Sequence, residues 1–290
     1  MSGYMNPAEF ANIRNCERDF WWYRGMREIF FRFLDRHLAG RKIGRALEAG
    51  CGTGYLSWLM QNQRHWPVVP MDISWDGLRY AREMGVERAV QGDTTRLPFP
   101  DRTFDLVLSV DVLAHLPHGE EARAAAELTR VLAPGGTLAL RTAALDILRS
   151  RHSEFIAEHQ RFTRRRLVET FEGAGLRIRR CTYANSLLLP VAFAKFRIWE
   201  PLLRQTPSTG LVPVAPWLDR LLHLRQLAAP AGGVRQIPHL GTPAAPNALH
   251  RTGPGGAVAG PPAARATGTG IGLDRRRRRL RRGSISALDR

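Results

Sequence analysis

Apolar runs alternate with amphipathic stretches between about residues 44 and 185, and turn residues separate them. The strongest strand prediction is Phe104–Leu113, an apolar run of the kind found in parallel sheets that are covered on both faces. Helices are predicted at Ser74–Met84 and Thr163–Gly175, each of which begins with a typical N-cap residue. Further strands are predicted at Arg45–Ala49, Pro67–Ile73, Glu87–Gly92, Thr137–Thr142 and Leu176–Tyr183, and further helices at Tyr55–Gln63 and Gly119–Leu132. This alternation predicts an α/β fold with a doubly wound, mostly parallel sheet.

Four segments follow from the change in pattern along the chain. Residues 1–43 are helical and rich in aromatic side chains, and residues 44–185 carry the alternating strands and helices. Residues 186–225 are predicted to form a helical cap over the site where a substrate binds. Within them, Leu187–Arg204 combines apolar side chains with basic ones, so a peripheral contact with a membrane surface is the alternative.

Residues 226–290 differ in composition from the rest of the chain. They contain no Phe, Trp, Tyr or Glu, and 11 Arg stand against 2 Asp. Such a segment buries too little apolar surface to offset its ordering entropy, so we expect a disordered basic tail with no more than a short turn of structure near Val234–Ile237. More than half of the net charge of +17 lies there, and no aromatic and basic single-strand surface is apparent elsewhere. Nucleic acid is therefore not the favoured partner.

Composition also bears on compartment and metal binding. The chain has three Cys, none in a CxxC pair, which argues against a disulfide framework and against a zinc site. No apolar run approaches the roughly 20 residues that span a bilayer. The N-terminus does not resemble a signal peptide, so a cytoplasmic location is expected.

The segment Glu48–Gly54 carries the clearest functional signal. It follows a short apolar strand, precedes a helix, and places glycines at Gly50, Gly52 and Gly54. Glycine permits a sharp turn and a close approach of a ligand, and the N–H groups that begin the next helix face that ligand. The spacing is GxGxG and not the GxGxxG of dinucleotide sites, which disfavours a nicotinamide-dependent oxidoreductase. The loop therefore predicts a charged nucleoside cofactor of another kind.

Polar residues also follow the next strands in the predicted sheet. Asp72 ends the second strand, Gly92-Asp93 follows the third, and Ser109–His115 follows the fourth. Ligands of open parallel sheets bind at the carboxyl ends of the strands. These groups are therefore expected to converge on one site with the glycine loop.

These motifs together resemble a known family. The chain resembles the class I S-adenosylmethionine-dependent methyltransferases of the type 11 group over roughly residues 10–225. The resemblance is carried, in order, by Leu47–Gly54, Met71–Ser74, Gln91–Asp93, Leu97–Asp101, Phe104–Val107, Asp111–Leu113, His115-Leu116 and Arg130–Gly136.

The resemblance implies S-adenosyl-L-methionine as the cofactor and assigns residues to it. Glu48 would receive the amino group of its methionine part, Asp72 the ribose hydroxyls, and Asp93 the adenine amino group. The implied cofactor-binding residues are Glu48, Gly50, Cys51, Gly52, Gly54, Asp72, Ile73, Asp93, Thr94, Ser109 and Asp111.

The implied reaction is an in-line methyl transfer to a small-molecule, lipid-like or sugar-type acceptor. The methyl group already sits on a good leaving group, so the protein mainly orients the acceptor. A general base is needed only where the acceptor keeps its proton, and His115 and His159 are the candidates. Arg161 is the candidate for holding an anionic acceptor. A nucleic-acid methyltransferase or RNA-binding protein, and a truncated inactive homologue, are the alternatives.

The end of the chain departs from the family pattern. Relatives end with a strand that pairs antiparallel into the sheet, and nothing after Arg225 has a strand pattern. The sequence therefore predicts that this strand is missing. A shift of the reading frame near residue 225 is one hypothesis, since the loss of Glu and aromatics suits a frame change in a G+C-rich gene.

Overall fold

The structure is a computed structural model that describes residues 5–184, 188–203, 206, 209, 216–228 and 236–243. Its centre is a seven-stranded sheet with the order β3-β2-β1-β4-β5-β7-β6. The strands are β1 (Ala46–Ala49), β2 (Val68–Asp72), β3 (Val90–Gln91), β4 (Phe104–Val110), β5 (Leu132–Arg141), β6 (Leu176–Tyr183) and β7 (Gln236–Pro243). The first five are parallel, and β7 runs antiparallel between β5 and β6. The predicted doubly wound α/β fold is confirmed.

Helices surround this sheet. They are α1 (Pro7–Cys16), α2 (Trp21–Leu38), α3 (Tyr55–Gln63), α4 (Trp75–Glu83), α5 (Glu120–Arg130), α6 (Arg151–Phe155), α7 (Arg164–Gly173), α8 (Leu189–Ala194), α9 (Glu200–Leu202) and α10 (Pro216–Ala228). A π-helical turn, Lys195–Trp199, joins α8 to α9. Ser74 and Thr163 are N-caps, and each accepts a hydrogen bond from a backbone N–H in the first turn of its helix. Among the described residues no helix is long and apolar enough to cross a membrane.

Two apolar cores cover the two faces of the sheet. Leu47, Val107 and Phe171 belong to one core, and Leu106 and Leu108 belong to the other. Alternate residues of β4 therefore point to opposite faces, as the pleat requires. The second core also receives Phe30, Phe33 and Leu34 of α2, so the aromatic N-terminal segment packs directly on the sheet.

The prediction that the last strand is missing is wrong. Strand β7 pairs with β5 through Leu138–Leu140 and with β6 along most of its length. Its sequence contains Pro238, Gly241 and Pro243, which are unfavourable in a central strand. The pairing of β7 with β6 also shifts register, between Ile178 and Arg180 and again between Arg180 and Thr182. Hydrogen bonding to a partner strand on each side thus outweighs the low strand propensity of the β7 residues. The argument for a frame shift that rested on a missing strand falls with it, and residues 244–290 of the predicted tail lie outside the described residues.

The Pro134-Gly135-Gly136 segment, which precedes the predicted strand Thr137–Thr142, also belongs to a strand in the structure. It lies inside β5, where the pairing with β4 shifts register between Phe104 and Leu106. Gly135 has a φ of +73°, so the segment forms an irregularity within the strand.

The two parts of the predicted cap contact different regions. The Arg197 guanidinium donates to the Ile147 carbonyl (2.8 Å), and Glu200 accepts from the Arg151 N–H (3.0 Å), so the described helices between 188 and 203 contact the segment after β5. Helix α10 instead contacts α2, where Asp219 accepts from the Trp21 N–H (2.9 Å).

Candidate functional site

The glycine loop lies between β1 and α3, and its glycines adopt conformations that other residues avoid. Gly50, Gly52 and Gly54 have φ values of +89°, +53° and +81°. A Cβ on Gly50 would lie 2.0 Å from Val112 Cγ2, and one on Gly54 would lie 2.5 Å from the Ala81 Cβ. A Cβ on Gly52 would have no atom within 4 Å. Gly50 and Gly54 therefore permit close packing, whereas the space beside Gly52 is open to a ligand.

The N–H groups of the loop are mostly used within the protein. Those of Gly50 and Cys51 donate to the Met71 carbonyl at 2.7 and 2.9 Å, and that of Gly52 donates to Asp72 Oδ2 at 2.7 Å. The Cys51 side chain is buried. Burial, together with the nearby charges of Asp72 and Glu48, holds the pKa of its thiol well above the usual range. These bonds hold the loop against the end of β2.

Glu48 lies in β1 and is only 2 % exposed. Its carboxylate accepts hydrogen bonds from the hydroxyl and the N–H of Ser57, which lies in the first turn of α3. Burial, together with the charge of Asp72, raises the pKa of Glu48 to about 8 against the opposing hydrogen bonds from Ser57. Glu48 therefore holds the first turn of α3 against β1, beside the loop.

Asp72 connects the loop to the next helix. One oxygen accepts from Gly52, and the other accepts from the Ser74 N–H at 2.8 Å. The carboxylate is buried, and this burial raises its pKa against the opposing hydrogen bonds and the charge of His115. The neighbouring Ile73 is half-buried, and its carbonyl accepts from the Gln91 side chain at 3.1 Å.

Asp93 lies directly after β3. Its Oδ1 accepts from the N–H and the hydroxyl of Thr95, both at 2.8 Å, and the Thr94 side chain is buried beside it. Gly92 precedes it, and its N–H donates to the Asp72 carbonyl at 3.0 Å. This short turn brings the end of β3 next to the end of β2, as the sequence predicts.

The end of β4 carries Ser109 and Asp111. The Ser109 hydroxyl is fully buried and has no hydrogen-bond partner among the described residues. Asp111 has a φ of +60°, which is unusual for a residue other than glycine. Its carboxylate forms an ion pair with Arg141 at the end of the adjacent β5. Asp111 is therefore held by Arg141 on the side of the site away from β2.

His115 ends the short 3₁₀ turn Leu113–His115, and its Nδ1 lies 3.4 Å from the Ala157 carbonyl. Burial lowers the pKa of the imidazole, although the charges of Asp111 and Glu158 raise it. The His159 N–H donates to the Ala114 carbonyl at 2.8 Å, and His159 also acts on the pKa of His115. The structure therefore brings the two predicted histidines into one neighbourhood.

Arg161 lies in the same segment, but its guanidinium already has protein partners. It forms an ion pair with Glu158 (2.5 Å) and donates to the Ser153 hydroxyl (3.0 Å) and the Ala144 carbonyl (3.2 Å). Both charged side chains are largely buried, at 14 % and 4 % exposure. In this arrangement Arg161 holds residues 144–161 together, and its predicted contact with an anionic acceptor stays a prediction.

Glu17 and Thr53 were missed by the prediction from sequence. The Thr53 hydroxyl, within the glycine loop, donates to Glu17, which lies at the end of α1. The two residues are 36 positions apart. In the sequence, Glu17 is marked only by its position just before the aromatic cluster Phe20-Trp21-Trp22. That position by itself does not indicate a functional role.

Comparison with known proteins agrees with this geometry. A family model described as a methyltransferase domain, of the type 11 group, matches residues 47–140, from the end of β1 to the end of β5. The chain is 39% identical over 97 residues to a fatty-acid O-methyltransferase of Mycolicibacterium smegmatis, covering 32% of this chain and 34% of that protein. It is 36% identical over 124 residues to a human protein named probable tRNA methyltransferase 9B, covering 42% of this chain and 25% of that protein.

The aligned regions span less than half the length of these curated relatives. Among solved structures, one chain of the complex between the Haloferax volcanii Trm112 methyltransferase activator and its partner methyltransferase aligns with a TM-score of 0.55. That alignment covers 82% of this chain and 95% of that chain at 17% identity, so it concerns the fold alone. Residues 47–140 thus match a methyltransferase domain of the type 11 group, and the comparisons support the resemblance drawn from the sequence.

Proposed function

We propose that this protein transfers the methyl group of S-adenosyl-L-methionine to a small-molecule acceptor, of which a lipid-like molecule is the favoured class and a sugar-type molecule the next. The observation that carries the proposal is the convergence of the open glycine loop with Glu48 and Asp72. Glu48 and the glycines belong to β1 and the loop that follows it, and Asp72 ends β2, which pairs in parallel with β1, so all three lie at the carboxyl edge of one sheet.

The residues present fit this cofactor. The open space beside Gly52 admits a ligand next to the backbone, and Asp72 offers a carboxylate at the strand end where ribose hydroxyls bind in related folds. Asp93 and Thr94 would receive the adenine, while Ile73 would pack beside it. When bound, the cofactor supplies a methyl group on a positively charged sulfur atom.

Other side chains orient the acceptor and take up its proton. Burial lowers the pKa of His115, so the imidazole is neutral near pH 7 and can accept a proton. His159 lies beside it and is the second candidate base. Ser109 and Asp111 lie at the end of β4, between β1 and β5 in the sheet, and His115 follows them on the turn after β4.

The surface of the helices after β6 supports a lipid-like acceptor. Val191, Ile198, Trp199 and Leu202 are each more than half exposed, and this helical stretch is anchored to the segment that follows β5. Exposed apolar side chains of this kind mark binding surfaces more often than ordinary surface. A peripheral contact with a membrane, through the same face, would bring such an acceptor to the site. A fatty acid is the acceptor named for one relative.

Calorimetry tests the cofactor directly. Wild-type protein should bind S-adenosylhomocysteine and not NAD, and Asp72→Ala should weaken the binding at least tenfold. Asp76→Ala, in the first turn of α4, is the matched control and should bind normally, because the Asp76 side chain is 47% exposed. Failure of the wild type to bind S-adenosylhomocysteine, or unchanged binding by Asp72→Ala, would overturn the proposal.

A panel of acceptors with a labelled methyl group tests the reaction. Fatty acids should accept the label, and sugars and soluble small molecules complete the panel. His115→Asn should lower turnover by roughly a hundredfold while binding the cofactor normally, because a general base contributes on that order. Cofactor binding without turnover on any acceptor would instead favour the inactive homologue.

Transfer to RNA is the second candidate function. The tRNA methyltransferase relative and the net charge of +17 favour it. Labelled methyl transfer to tRNA by the full chain, with binding that weakens steeply as salt rises, would replace the lipid-like acceptor with RNA. If the chain binds tRNA without transferring the methyl group, its positive charge makes only non-specific contacts with RNA.

A further inference from the structure

Glu17 is a buried carboxylate between the N-terminal helix and the glycine loop. Its backbone N–H ends α1 by donating to the Ile13 carbonyl at 2.7 Å, and its side chain is 5 % exposed. One oxygen accepts from the Thr53 hydroxyl. The other, Oε1, is buried and has no hydrogen-bond partner among the described residues. A carboxylate oxygen left in this way costs free energy unless a ligand supplies a donor.

Arg27 fixes the backbone around Glu17 without using its carboxylate. Its guanidinium donates to the carbonyls of Glu17 (2.8 Å) and Arg18 (3.2 Å) and lies 4.9 Å from the centre of the Tyr55 ring. Tyr55 is the first residue of α3, directly after the loop. The position of Glu17 relative to the loop is therefore set by its backbone, and Oε1 stays available for another donor.

Helix α1 also covers the loop from the side of α4. Phe10 is buried, and a Cβ on Gly77 would lie 2.9 Å from its ring and 2.8 Å from the Gly52 carbonyl. The helices α1 and α4 thus meet over the loop. Oε1 of Glu17 consequently lies in an interior region beside the loop and not at the protein surface.

Resting on the proposed function, we propose that Glu17 is a cofactor-binding residue whose Oε1 accepts a hydrogen bond from the ammonium group of the methionine part of S-adenosylmethionine. The cofactor carries two positive groups at that end, a sulfonium and an ammonium. Only the ammonium has N–H donors, which the unpartnered oxygen requires. Glu48, which the sequence predicts for this role, is already engaged by Ser57.

Calorimetry on the full-length Glu17→Gln variant tests this assignment. S-adenosylmethionine and S-adenosylhomocysteine both carry the ammonium group, so the variant should bind both at least tenfold more weakly than wild type. Glu9→Gln is the matched control, because Glu9 is also buried on α1 but accepts from the Asn12 side chain at 2.9 Å. It should bind both ligands as wild type does.

An analogue of S-adenosylhomocysteine without its amino group identifies the contact. Wild type and Glu17→Gln should bind this analogue with equal affinity, because the group that Glu17 contacts is gone. Should Glu17→Gln unfold at a lower temperature than wild type, the double variant Glu17→Met/Thr53→Val removes the carboxylate together with its buried hydroxyl partner and should show the same loss of affinity.

The outcomes separate this inference from the proposed function. Wild-type protein that binds neither cofactor form overturns the proposed function, and this inference with it. If wild type binds the cofactor and Glu17→Gln binds it equally well, the role of Glu17 is overturned but the proposed function is not. A loss confined to S-adenosylmethionine assigns Glu17 to the sulfonium and overturns the ammonium contact.

Discussion

The two halves of the carboxyl edge of the sheet are held by different kinds of interaction. At the ends of β1 and β2, the glycine loop is fixed by backbone hydrogen bonds and by the carboxylate of Asp72. Beyond β4 and β5, the edge is fixed by ion pairs between side chains, Asp111 with Arg141 and Glu158 with Arg161. The second half also contains Asp111, Leu145 and Ala157, residues other than glycine with positive φ.

This difference follows from what each half is proposed to bind. A cofactor shared by a whole family favours a backbone cradle, in which the few residues that matter are glycines and acids. An acceptor that varies among relatives favours a scaffold of side chains, which substitutions can remodel while the sheet stays the same. The family model covers the ends of β1 and β2 and also Asp111 of the second half, and it ends before Arg141 and residues 144–161.

The largest expected effect is that of Gly50→Ala, which acts where the two halves touch. The added methyl would lie 2.0 Å from Val112 Cγ2 at a φ of +89°. Overpacking and backbone strain together should lower the free energy of unfolding by about 4 kcal/mol, measured by urea denaturation.

Gly40→Ala is the control for this prediction, since Gly40 has a φ of +74° with no atom within 4 Å of the added carbon. It should cost only about 1 kcal/mol of backbone strain. Adding Val112→Ala to Gly50→Ala should recover part of the loss. Equal effects of the two glycine variants would show that close packing between the halves does not matter.

Arg161→Met tests the side-chain scaffold of the second half. Removing one partner of a buried ion pair leaves Glu158 uncompensated, so the free energy of unfolding should fall by about 3 kcal/mol. Affinity for S-adenosylhomocysteine should stay unchanged, because the first half does not use this pair. The exposed pair of Arg165 with Glu169 offers the control, and Arg165→Met should leave stability close to that of wild type. Unchanged stability with a loss of acceptor binding would instead support the contact with an anionic acceptor.

The pH dependence of stability tests the buried carboxylate of the first half. Burial raises the pKa of Glu48 to about 8, so its contribution is fully present below the ordinary value of 4.5 and is lost as the pH rises through about 8. Unliganded wild type should therefore lose on the order of 2 kcal/mol between pH 5.5 and pH 8.5, and Glu48→Gln should lose less. Urea denaturation at the two pH values measures this.

Glu121→Gln is the contrasting variant. Burial raises the pKa of Glu121, but the hydrogen bonds from Arg166, Gln160 and two backbone N–H groups outweigh it and lower the pKa to about 2. Its contribution is present above the ordinary value and is lost only as the pH falls toward 2. Glu121→Gln should thus leave the change between pH 5.5 and pH 8.5 as in wild type. A wild-type stability that is flat over this interval would contradict the buried state of Glu48.

The smallest expected effect is that of Gly52→Ala. Gly52 has a φ of +53°, and the added methyl would have no atom within 4 Å. The free energy of unfolding should therefore fall by no more than in Gly40→Ala, about 1 kcal/mol. The added methyl should nevertheless lower affinity for S-adenosylhomocysteine about tenfold, or roughly 1.4 kcal/mol, because it occupies space beside the cofactor. Calorimetry on both alanine variants makes the comparison. Equal affinities would place the cofactor away from Gly52.

Much of the first half was predictable because its signals are local. Glycines at alternate positions require backbone conformations that few other residues adopt, and Asp72 and Asp93 are placed by the strands that precede them. The sequence did not predict which protein groups the polar side chains of the site would bond to. The oxygens of Glu48 accept from Ser57, and the guanidinium of Arg161 donates to Glu158, because neighbouring elements supply those groups after packing.

The sequence by itself determined the alternation of strands and helices from β1 to β6 and the chemistry at the ends of the first strands, because hydrophobic period and glycine conformation act over a few residues. Only the tertiary structure decided that β7 lies between β5 and β6 and that Glu17 contacts Thr53 across 36 positions. Both depend on pairing between distant segments, in which partner strands and burial outweigh the local preference of the chain.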